Sequence, residues 1–440
     1  MGFNNEINQN IKPLNTKRND RGNLEISGCD LTELAQKYST PLYVMDKNTL
    51  TQMANDYKNA FRAYEKTKMM YASKALMTGT VAKILYEAGF GFDVVSIGEM
   101  YTLQHAGIDL SHATFNGNNK GREEIEYALA HNIGRVSVDS FYELEFLNET
   151  AKKQNKIQKI LLRINPHIEC HTHEYIQTGQ LDSKFGIDLA DITSAVDLIQ
   201  NKYEHLELKG FHAHVGSQIF ETKVFEDEIE VLLREIKRID DKFNLLLDEI
   251  NIGGGLGVTY TDSDCPPGVF GLADVIIKAI EKNCKKYDVQ KPTLLIEPGR
   301  SLVSTAGVTL YTLGSTKDIK NIRKYVSIDG GMADNPRPSM YQAKYSAEIA
   351  NAKPADSPET VTISGRFCES GDILIKDIKL NSPKAGDILC VYNTGAYCYS
   401  MASNYNTTQK CAMVLIDNGK SDIIVKRQTL EQLIENDIIL

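Results

Sequence analysis

Three stretches decide the fold prediction: residues 208–216 are LKGFHAHVG, residues 249–255 are EINIGGG and residues 293–300 are TLLIEPGR. Each stretch contains apolar or β-branched residues and ends in glycine or a charged residue. Such a run is typical of a buried parallel strand, and the carboxyl ends of these strands carry the active sites of barrel enzymes. We therefore expect three neighbouring strands whose polar ends lie at one rim of a sheet.

Five similar runs precede these three. They are MMYASKA at 69–75, FDVVS at 92–96, ATFNG at 113–117, RVSVDS at 135–140 and KILLRINP at 159–166. Longer amphipathic stretches, such as MTGTVAKILYEAGF at 77–90 and GREEIEYALAHNIG at 121–134, alternate with them and predict helices. Eight strand–helix units over this length favour a closed (β/α)8 barrel over an open sheet.

The pattern changes after about residue 320, where short strand-like runs are separated by Gly, Pro, Asn and Asp. This sequence pattern predicts an antiparallel β domain. We predict an N-terminal segment at 1–45, a (β/α)8 barrel at 46–312 and a C-terminal β domain at 313–440. The N-terminal segment holds one strand candidate, PLYVMD, and is expected to pack with the β domain, although the sequence also allows packing with the barrel.

Composition argues against several classes of function. The chain of 440 residues has 49 basic and 58 acidic residues, a net charge of −9, which attracts neither nucleic acid nor anionic membrane surfaces. The first residues lack the apolar segment of a secretory signal, and the eight cysteines form no C-x-x-C pair. We expect a cytoplasmic protein with reduced cysteines and no metal site.

Lysine and histidine end two of the predicted strands. Tyr71-Ala72-Ser73-Lys74 would place a lysine at the barrel mouth, where it is either a plain surface residue or an amine that forms a Schiff base. His212 and His214 lie on one strand face and precede Gly216-Ser217. A flat imidazole can stack on an aromatic ring, whereas metal binding lacks a carboxylate or third histidine at a supporting spacing.

Glycines and an acid end the last two strands. The run Gly253-Gly254-Gly255 offers backbone N–H groups that can close around an anion, but it matches neither a dinucleotide fingerprint nor a P-loop. Glu297 and Arg300 could form a local ion pair, or they could bind a protonated ring nitrogen and a substrate carboxylate. A lysine, a stacking imidazole, a phosphate nest and a ring-nitrogen acid together indicate pyridoxal 5′-phosphate (PLP). The sequence therefore predicts a PLP-binding barrel at 46–312.

In chain order, the motifs resemble those of the group IV PLP-dependent decarboxylases with an alanine-racemase-like fold. They are YASK at 71–74, HVGSQ at 214–218, GGG at 253–255, EPGR at 297–300, CESGD at 368–372 and GAY at 395–397. The resemblance covers nearly the whole chain from about residue 40. The CESGD motif and the loop at 171–187 are most similar to the diaminopimelate decarboxylase members. Arg366-Phe367 departs from the Pro-aliphatic pair that precedes the cysteine in many members.

This resemblance implies PLP-dependent decarboxylation of meso-2,6-diaminopimelate to L-lysine and CO2, the last step of lysine biosynthesis. It implies that Lys74 binds PLP covalently and that Cys368 donates a proton to Cα. The other implied cofactor contacts are His214, Ser217, Gly254, Gly255, Glu297, Gly299, Arg300 and Tyr397. The implied substrate contacts are Arg300, Arg337, Tyr341, Glu369 and Tyr397. Asp93 and Glu99 are expected to support the active site without contacting the cofactor or substrate directly. A homodimer is also implied, in which Cys368 and Glu369 complete the partner's active site.

Two alternative functions stay open at this point. The first is a related group IV decarboxylase that acts on ornithine, arginine, a carboxypolyamine or a carrier-bound glutamyl group. The second is an inactive PLP-binding interaction protein, which the presence of both Lys74 and Cys368 disfavours. A racemase is disfavoured as well, because alanine racemases place an arginine, not an acid such as Glu297, near the ring nitrogen.

Overall fold

The structure is a computed structural model that describes residues 6–168, 183–352 and 357–440. The chain divides into two compact units. Within the described residues, the barrel unit consists of Ala54–Gly257 and Pro266–Gly299. The β unit consists, again within the described residues, of the N-terminal residues to Met53, Val258–Cys265 and Arg300–Leu440. Residues 171–182 of the loop that contributed to the resemblance lie outside the described residues.

The N-terminal elements come first in the chain. They are β1 (Thr16–Arg18), β2 (Leu24–Ile26), β3 (Cys29–Asp30), α1 (Leu31–Tyr38), β4 (Leu42–Asp46) and α2 (Lys47–Ala60). The first three strands form a small antiparallel sheet. The side chain of Asp30 accepts hydrogen bonds from the backbone N–H groups of Thr32 and Glu33, which fixes the start of α1.

In the described part of the barrel unit, nine strands and seven α-helices follow. The strands are β5 (Thr67–Ala72), β6 (Gly91–Val94), β7 (Ala113–Phe115), β8 (Arg135–Val138), β9 (Gln158–Asn165), β10 (Ile187–Asp188), β11 (Leu206–His212), β12 (Glu249–Asn251) and β13 (Thr293–Ile296). The helices are α3 (Gly79–Glu87), α4 (Ile97–His105), α5 (Arg122–Ala130), α6 (Phe141–Lys153), α7 (Ile192–Asn201), α8 (Lys223–Phe243) and α9 (Val269–Tyr287).

Among the described residues, the barrel strands pair in parallel. The strand order is β5-β6-β7-β8-β9-β11-β12-β13, with β13 pairing back to β5, while the two-residue β10 adds to β9. The eight runs singled out in the sequence are these eight strands, so the predicted (β/α)8 barrel is confirmed. Met70, Leu161 and Leu295 pack together as part of the buried barrel core.

Hydroxyl side chains cap the N-termini of three barrel helices. Thr78, Ser96 and Ser140 each accept a hydrogen bond from the backbone N–H three residues later, at the starts of α3, α4 and α6. The chain therefore turns from strand to helix close to each strand's carboxyl end, where the candidate site residues lie. No described helix has the length and apolar character needed to cross a membrane.

The β unit contains the remaining elements. They are α10 (Arg300–Val303), β14 (Gly307–Ile319), β15 (Arg323–Ile328), α11 (Arg337–Tyr341), β16 (Ala347–Ile349), β17 (Glu359–Ser364), β18 (Ile373–Leu380), β19 (Ile388–Val391), β20 (Ala412–Asp417), β21 (Lys420–Val425) and α12 (Leu430–Ile434). Most pairings are antiparallel, but β4 pairs in parallel with β20 and β15 with β17. The sheet is thus mixed, not purely antiparallel, because these pairs are joined by long connections and not by hairpins.

The N-terminal strand is central to the β unit. All five residues of β4 are buried, and the strand lies between β14 and β20. Leu42 and Val44 belong to the same apolar core cluster as Val308, Leu310 and Val414. The predicted domain limit at 312/313 falls inside the continuous strand β14, and the structure groups 300–312 with the β unit.

Candidate active site

Lys74 lies at the carboxyl end of a barrel strand. It follows β5 directly, in a short turn at Ser73–Ala75, and its side chain is exposed although Tyr71 and Ala72 before it are buried. Burial raises the pKa of Asp93 and of Glu297, and the positive charge of Lys74 opposes both increases. The amine is therefore accessible from solvent while it interacts electrostatically with two buried acids.

Glu297 follows β13 and is held by two amide side chains. Its Oε1 accepts hydrogen bonds from Nδ2 of Asn251 at 2.6 Å and from Nδ2 of Asn116 at 3.1 Å. The residue is 6% exposed, and burial followed by repulsion from Asp93 raises the pKa of Glu297 to about 8. A carboxyl with this pKa gains from any cationic N–H group that is placed beside it.

Asp93 and Glu99 support this acid cluster. Asp93, at the end of β6, is buried and accepts a hydrogen bond from Asn116, the same amide that contacts Glu297. Glu99 lies in the first turn of α4 and accepts a hydrogen bond of 2.7 Å from the backbone N–H of Val95. Burial raises the pKa of Glu99 to about 7. Both acids lie at or just after the carboxyl end of β6, and their hydrogen bonds hold neighbouring groups in place.

His214 and the glycine run form a second part of the mouth. The backbone N–H of Gly254 lies 3.3 Å from Nδ1 of His214, which therefore accepts, so a neutral imidazole carries its proton on Nε2. Burial, and then the charge of Lys74, keeps the pKa of His214 well below its usual range. Gly253 has φ +60°, and a Cβ there would come within 2.5 Å of the imidazole.

Three predicted phosphate contacts of the barrel unit follow the strands β11 and β12. Ser217, Gly254 and Gly255 are half-buried, so their polar groups retain some access to solvent. Gly255 has φ +123°, and a Cβ there would meet the carbonyl oxygen of Gly216 at 2.7 Å. Gly299 packs against Ala72 at the end of β5. A Cβ added to Gly299 would lie 2.9 Å from the Cβ of Ala72. An added Cβ would meet protein atoms at Gly254, Gly255 and Gly299, so these three residues, which we call the glycine cradle, have no space for side chains.

Two buried arginines lie in the β unit. Arg300 donates to the hydroxyl of Tyr260 at 2.8 Å, and its Cζ lies 4.7 Å from the ring centroid of Tyr397. Arg337 donates to the hydroxyl of Tyr345 at 2.6 Å and lies over the ring of Tyr260. Burial would raise the pKa of Tyr260, but the two guanidinium groups outweigh it and lower that pKa. Tyr260 therefore links the two predicted carboxylate receptors.

The predicted residues of the C-terminal loop are accessible. Cys368 and Glu369 are exposed between β17 and β18, with contacts to Asn406 and to the backbone N–H of Gly371, respectively. Phe367 points inwards and its ring lies 5.9 Å from that of Tyr405, whereas Arg366 is exposed. The unusual Arg366-Phe367 pair therefore places its charge in solvent. Tyr341 is half-buried at the end of α11.

Sequence reasoning missed several polar residues of these clusters. They are Asn116, Ser137, Arg163 and Asn251 in the barrel unit, and Tyr260 and Tyr345 in the β unit. The four barrel residues lie in or just after strands, so their position in the predicted runs was an available signal. The two tyrosines lie outside the motifs, and no sequence signal distinguishes them.

Comparisons with known proteins identify the family. A sequence model described as "Pyridoxal-dependent decarboxylase, pyridoxal binding domain" matches residues 48–304. Diaminopimelate decarboxylase of Bacillus subtilis is 44% identical over 96% of this chain and 97% of its own length. The Synechocystis enzyme of that name is 43% identical over 98% of this chain and 94% of its own. The chain belongs to the diaminopimelate decarboxylase family.

Solved structures of the family have the same fold. Diaminopimelate decarboxylase of M. jannaschii in co-complex with L-lysine superposes with a TM-score of 0.90 at 35% identity, covering 97% of this chain and 98% of that chain. A lysine/ornithine decarboxylase from Vibrio vulnificus is only 21% identical, with a TM-score of 0.75, and shares the fold. As a family member the chain is a PLP-dependent carboxy-lyase.

The residues present fit PLP as the cofactor. Glu297 offers a buried carboxyl with a raised pKa, which suits a protonated ring nitrogen, and the neutral imidazole of His214 suits stacking on a ring. The glycine cradle has no side chains that would keep a phosphate away from its backbone N–H groups, and Lys74 supplies an accessible amine. Buried polar atoms without a hydrogen-bond partner among the described residues, such as Oδ1 of Asn116, add unused donor and acceptor capacity at this mouth.

Proposed function

We propose that this chain converts meso-2,6-diaminopimelate to L-lysine and CO2, which is the last step of lysine biosynthesis. The observation that carries the proposal is the similarity over nearly the full length to several diaminopimelate decarboxylases. The two buried arginines support it, because a substrate with an amino acid group at each end retains one carboxylate after the reaction and needs a receptor for it. A diamine-forming decarboxylase needs no such receptor.

The site residues divide into cofactor and substrate contacts in this proposal. Lys74 would hold the cofactor through its side-chain nitrogen. His214, Ser217, Gly254, Gly255, Glu297, Gly299, Arg300 and Tyr397 are proposed cofactor contacts. Arg300, Arg337, Tyr341 and Tyr397 are proposed contacts to substrate, and Glu369 is the proposed receptor of the distal ammonium group.

Four residues of the chain have proposed roles in the reaction. When bound, PLP supplies an electron sink for the electron pair left at Cα after CO2 departs. Glu297 holds the proton at the ring nitrogen, which keeps the ring electron-poor. Asn116 and Asn251 fix one oxygen of Glu297 by hydrogen bonds, so the carboxyl is oriented before substrate arrives. Cys368 donates the proton that replaces the lost carboxylate at Cα.

We also propose a homodimer in which Cys368 and Glu369 complete the partner's active site. Their exposure in the β unit of a single chain supports this arrangement. A mixture of Lys74→Ala and Cys368→Ala chains tests it, because a mixed dimer would keep one intact site. Subunit exchange should restore part of the activity that each variant lacks alone. If no activity returns although mixed dimers form, the shared site is wrong. The cytoplasmic location stays a prediction.

Substrate choice is tested by replacing the second arginine. Arg337→Ala should lower kcat/KM for meso-diaminopimelate far more than for ornithine or lysine, because only the first substrate carries a second carboxylate. Arg323→Ala is a matched control, since Arg323 lies on β15 and pairs with Asp377. Equal losses with every substrate would contradict the assignment and favour a decarboxylase of ornithine, arginine, a carboxypolyamine or a carrier-bound glutamyl group. An inactive PLP-binding protein would show no turnover at all.

A further inference from the structure

His212 is a buried histidine that the proposed reaction does not use. It ends β11, is 1% exposed, and its backbone is in register with Arg163 on β9 and Asn251 on β12. These three side chains therefore lie in one layer of the barrel, at the strand ends that precede the glycine run and Glu297.

The imidazole of His212 lies between a serine and the ring-nitrogen acid. Its Nδ1 is 2.7 Å from Oγ of Ser137, which is itself buried on β8. Its Nε2 is 3.6 Å from Oε2 of Glu297 and has no hydrogen-bond partner among the residues that the structure describes. The ring thus connects β8 with the segment that follows β13.

The two oxygens of Glu297 have different surroundings. Oε1 accepts both amide hydrogen bonds, whereas Oε2 lies near Nε2 of His212. Burial, followed by the charge of Arg163, keeps the pKa of His212 well below its usual range, so the ring is neutral and carries one N–H. The ring proton lies on either Nδ1 or Nε2, and the direction of the Ser137 hydroxyl proton influences which. This choice decides whether Oε2 of Glu297 faces an N–H donor or an unprotonated nitrogen.

We propose that Ser137 and His212 form a positioning pair for Glu297. The hydroxyl of Ser137 donates to Nδ1, which leaves the ring proton on Nε2, where it points at Oε2 of Glu297. At 3.6 Å this N–H makes no direct hydrogen bond, but its dipole favours the ionised carboxylate, so that Glu297 is ready to hold a proton on the cofactor's ring nitrogen. His212 is thus a positioning residue, and the inference rests on the proposed role of Glu297.

The first test uses the apoprotein and needs no reaction. Nitrogen-15 spectra of the nine histidines, with His212→Gln to assign the signal, report which ring nitrogen carries the proton. We expect the Nε2–H form for His212, and a mixture of both forms in Ser137→Ala. An Nδ1–H form in the unchanged protein would overturn the proposal, whatever the substrate of the enzyme proves to be.

The second test uses the holoenzyme. His212→Leu removes the donor, which raises the proton affinity of Glu297 and should shift the proton from the ring nitrogen toward this carboxyl. An absorbance titration of the bound cofactor should then show a smaller fraction with a protonated ring, with kcat reduced about tenfold or more and KM nearly unchanged. His212→Gln keeps an N–H donor and should recover part of both effects. His205→Leu is the matched control, because His205 directly precedes β11 and contacts the carbonyl of Lys156. If His212→Leu changes neither the absorbance titration nor kcat, the proposal is wrong.

A failure of this proposal can be distinguished from a failure of the proposed function. If the chain acts on ornithine instead of diaminopimelate, the absorbance titration and the histidine spectra keep their predicted outcomes. If the chain decarboxylates diaminopimelate but His212→Leu behaves as the unchanged protein does, only the positioning pair is rejected.

Discussion

Nδ2 of Asn251 donates a hydrogen bond of 2.6 Å to Oε1 of Glu297, and both residues are almost completely buried. This bond lowers the pKa of Glu297, against the larger effect of burial, which raises it. Because Asn251 ends β12 and Glu297 follows β13, the pairing of two neighbouring strands positions the acid. The barrel therefore determines both the place and the ionisation of the group proposed to contact the cofactor's ring nitrogen.

Asn251→Leu should raise the pKa of Glu297 and weaken PLP binding by about tenfold, because the carboxylate loses one hydrogen bond to a buried donor, worth about 1.5 kcal/mol. Absorbance titration of the apoprotein with PLP at neutral pH measures the affinity. Asn283→Leu is the control, since Asn283 is a buried asparagine on α9 that contacts the carbonyl of Ala279. An equal loss of affinity in both variants would remove any special role of Asn251.

Lys74→Ala should abolish the covalent attachment of PLP. Borohydride reduction followed by peptide mass spectrometry should find the cofactor on the peptide with Lys74 in the unchanged protein and on no peptide in the variant. Lys83→Ala serves as the control, because Lys83 lies on α3, the helix that follows Lys74. A reduced adduct on another lysine of the unchanged protein would contradict the assignment.

Gly254→Ala should displace Glu297 and lower PLP affinity, because a Cβ at this position would lie 2.1 Å from the carbonyl oxygen of Glu297. Overpacking of this kind typically costs about 1–3 kcal/mol of stability. Gly271→Ala is the matched change, since Gly271 on α9 has open space around it and should tolerate alanine. Chemical denaturation and PLP titration of both variants measure the effects, and equal behaviour would show that the cradle does not require glycine here.

Glu228 should make the apoprotein less stable as the pH rises. This residue of α8 is fully buried, and neither carboxyl oxygen has a hydrogen-bond partner within the described residues. Burial, and then repulsion from Glu297, holds the pKa of Glu228 well above its usual range. Above about pH 4.3 the unfolded chain releases this proton while the folded chain keeps it, so the free energy of unfolding falls by up to about 1.4 kcal/mol per pH unit.

Glu228→Gln cannot ionise and should therefore flatten this pH dependence between about pH 5 and 7. Urea unfolding of the apoprotein at several pH values measures the slope. Glu226→Gln is the control, because Glu226 lies on the same helix, is only half-buried and pairs with Lys223. A slope in Glu228→Gln equal to that of the unchanged protein would mean that Glu228 is not a neutral acid in the folded state.

The barrel could be predicted from sequence because its strands are buried on both sides and read as short apolar runs. The polar residues that end these runs include Lys74, His214 and Glu297, so the sequence pattern alone identifies them as site candidates. Topology of the β unit was less accessible, since the partner of β4 depends on contacts between residues far apart in the chain. For that reason the parallel pairing of β4 with β20 and the inclusion of residues 300–312 in the β unit were missed.

The supporting residues of the site were also beyond sequence reasoning. Asn116 and Asn251 converge on one oxygen of Glu297 only because strands far apart in sequence close into a barrel. Tyr260 precedes Arg300 by 40 positions, and its contact with both buried arginines follows from the tertiary fold. Local pattern predicts which residues end a strand, whereas hydrogen-bond partners across the barrel require its three-dimensional closure.

The most direct test incubates the purified protein and PLP with meso-diaminopimelate, ornithine, arginine and lysine separately, and measures CO2 release together with the amine product. We predict CO2 and L-lysine in equal amounts from meso-diaminopimelate and no turnover of the other three at a comparable rate. Release of CO2 from ornithine or arginine but not from meso-diaminopimelate would contradict the proposed substrate, and no release from any of the four would contradict the proposed reaction.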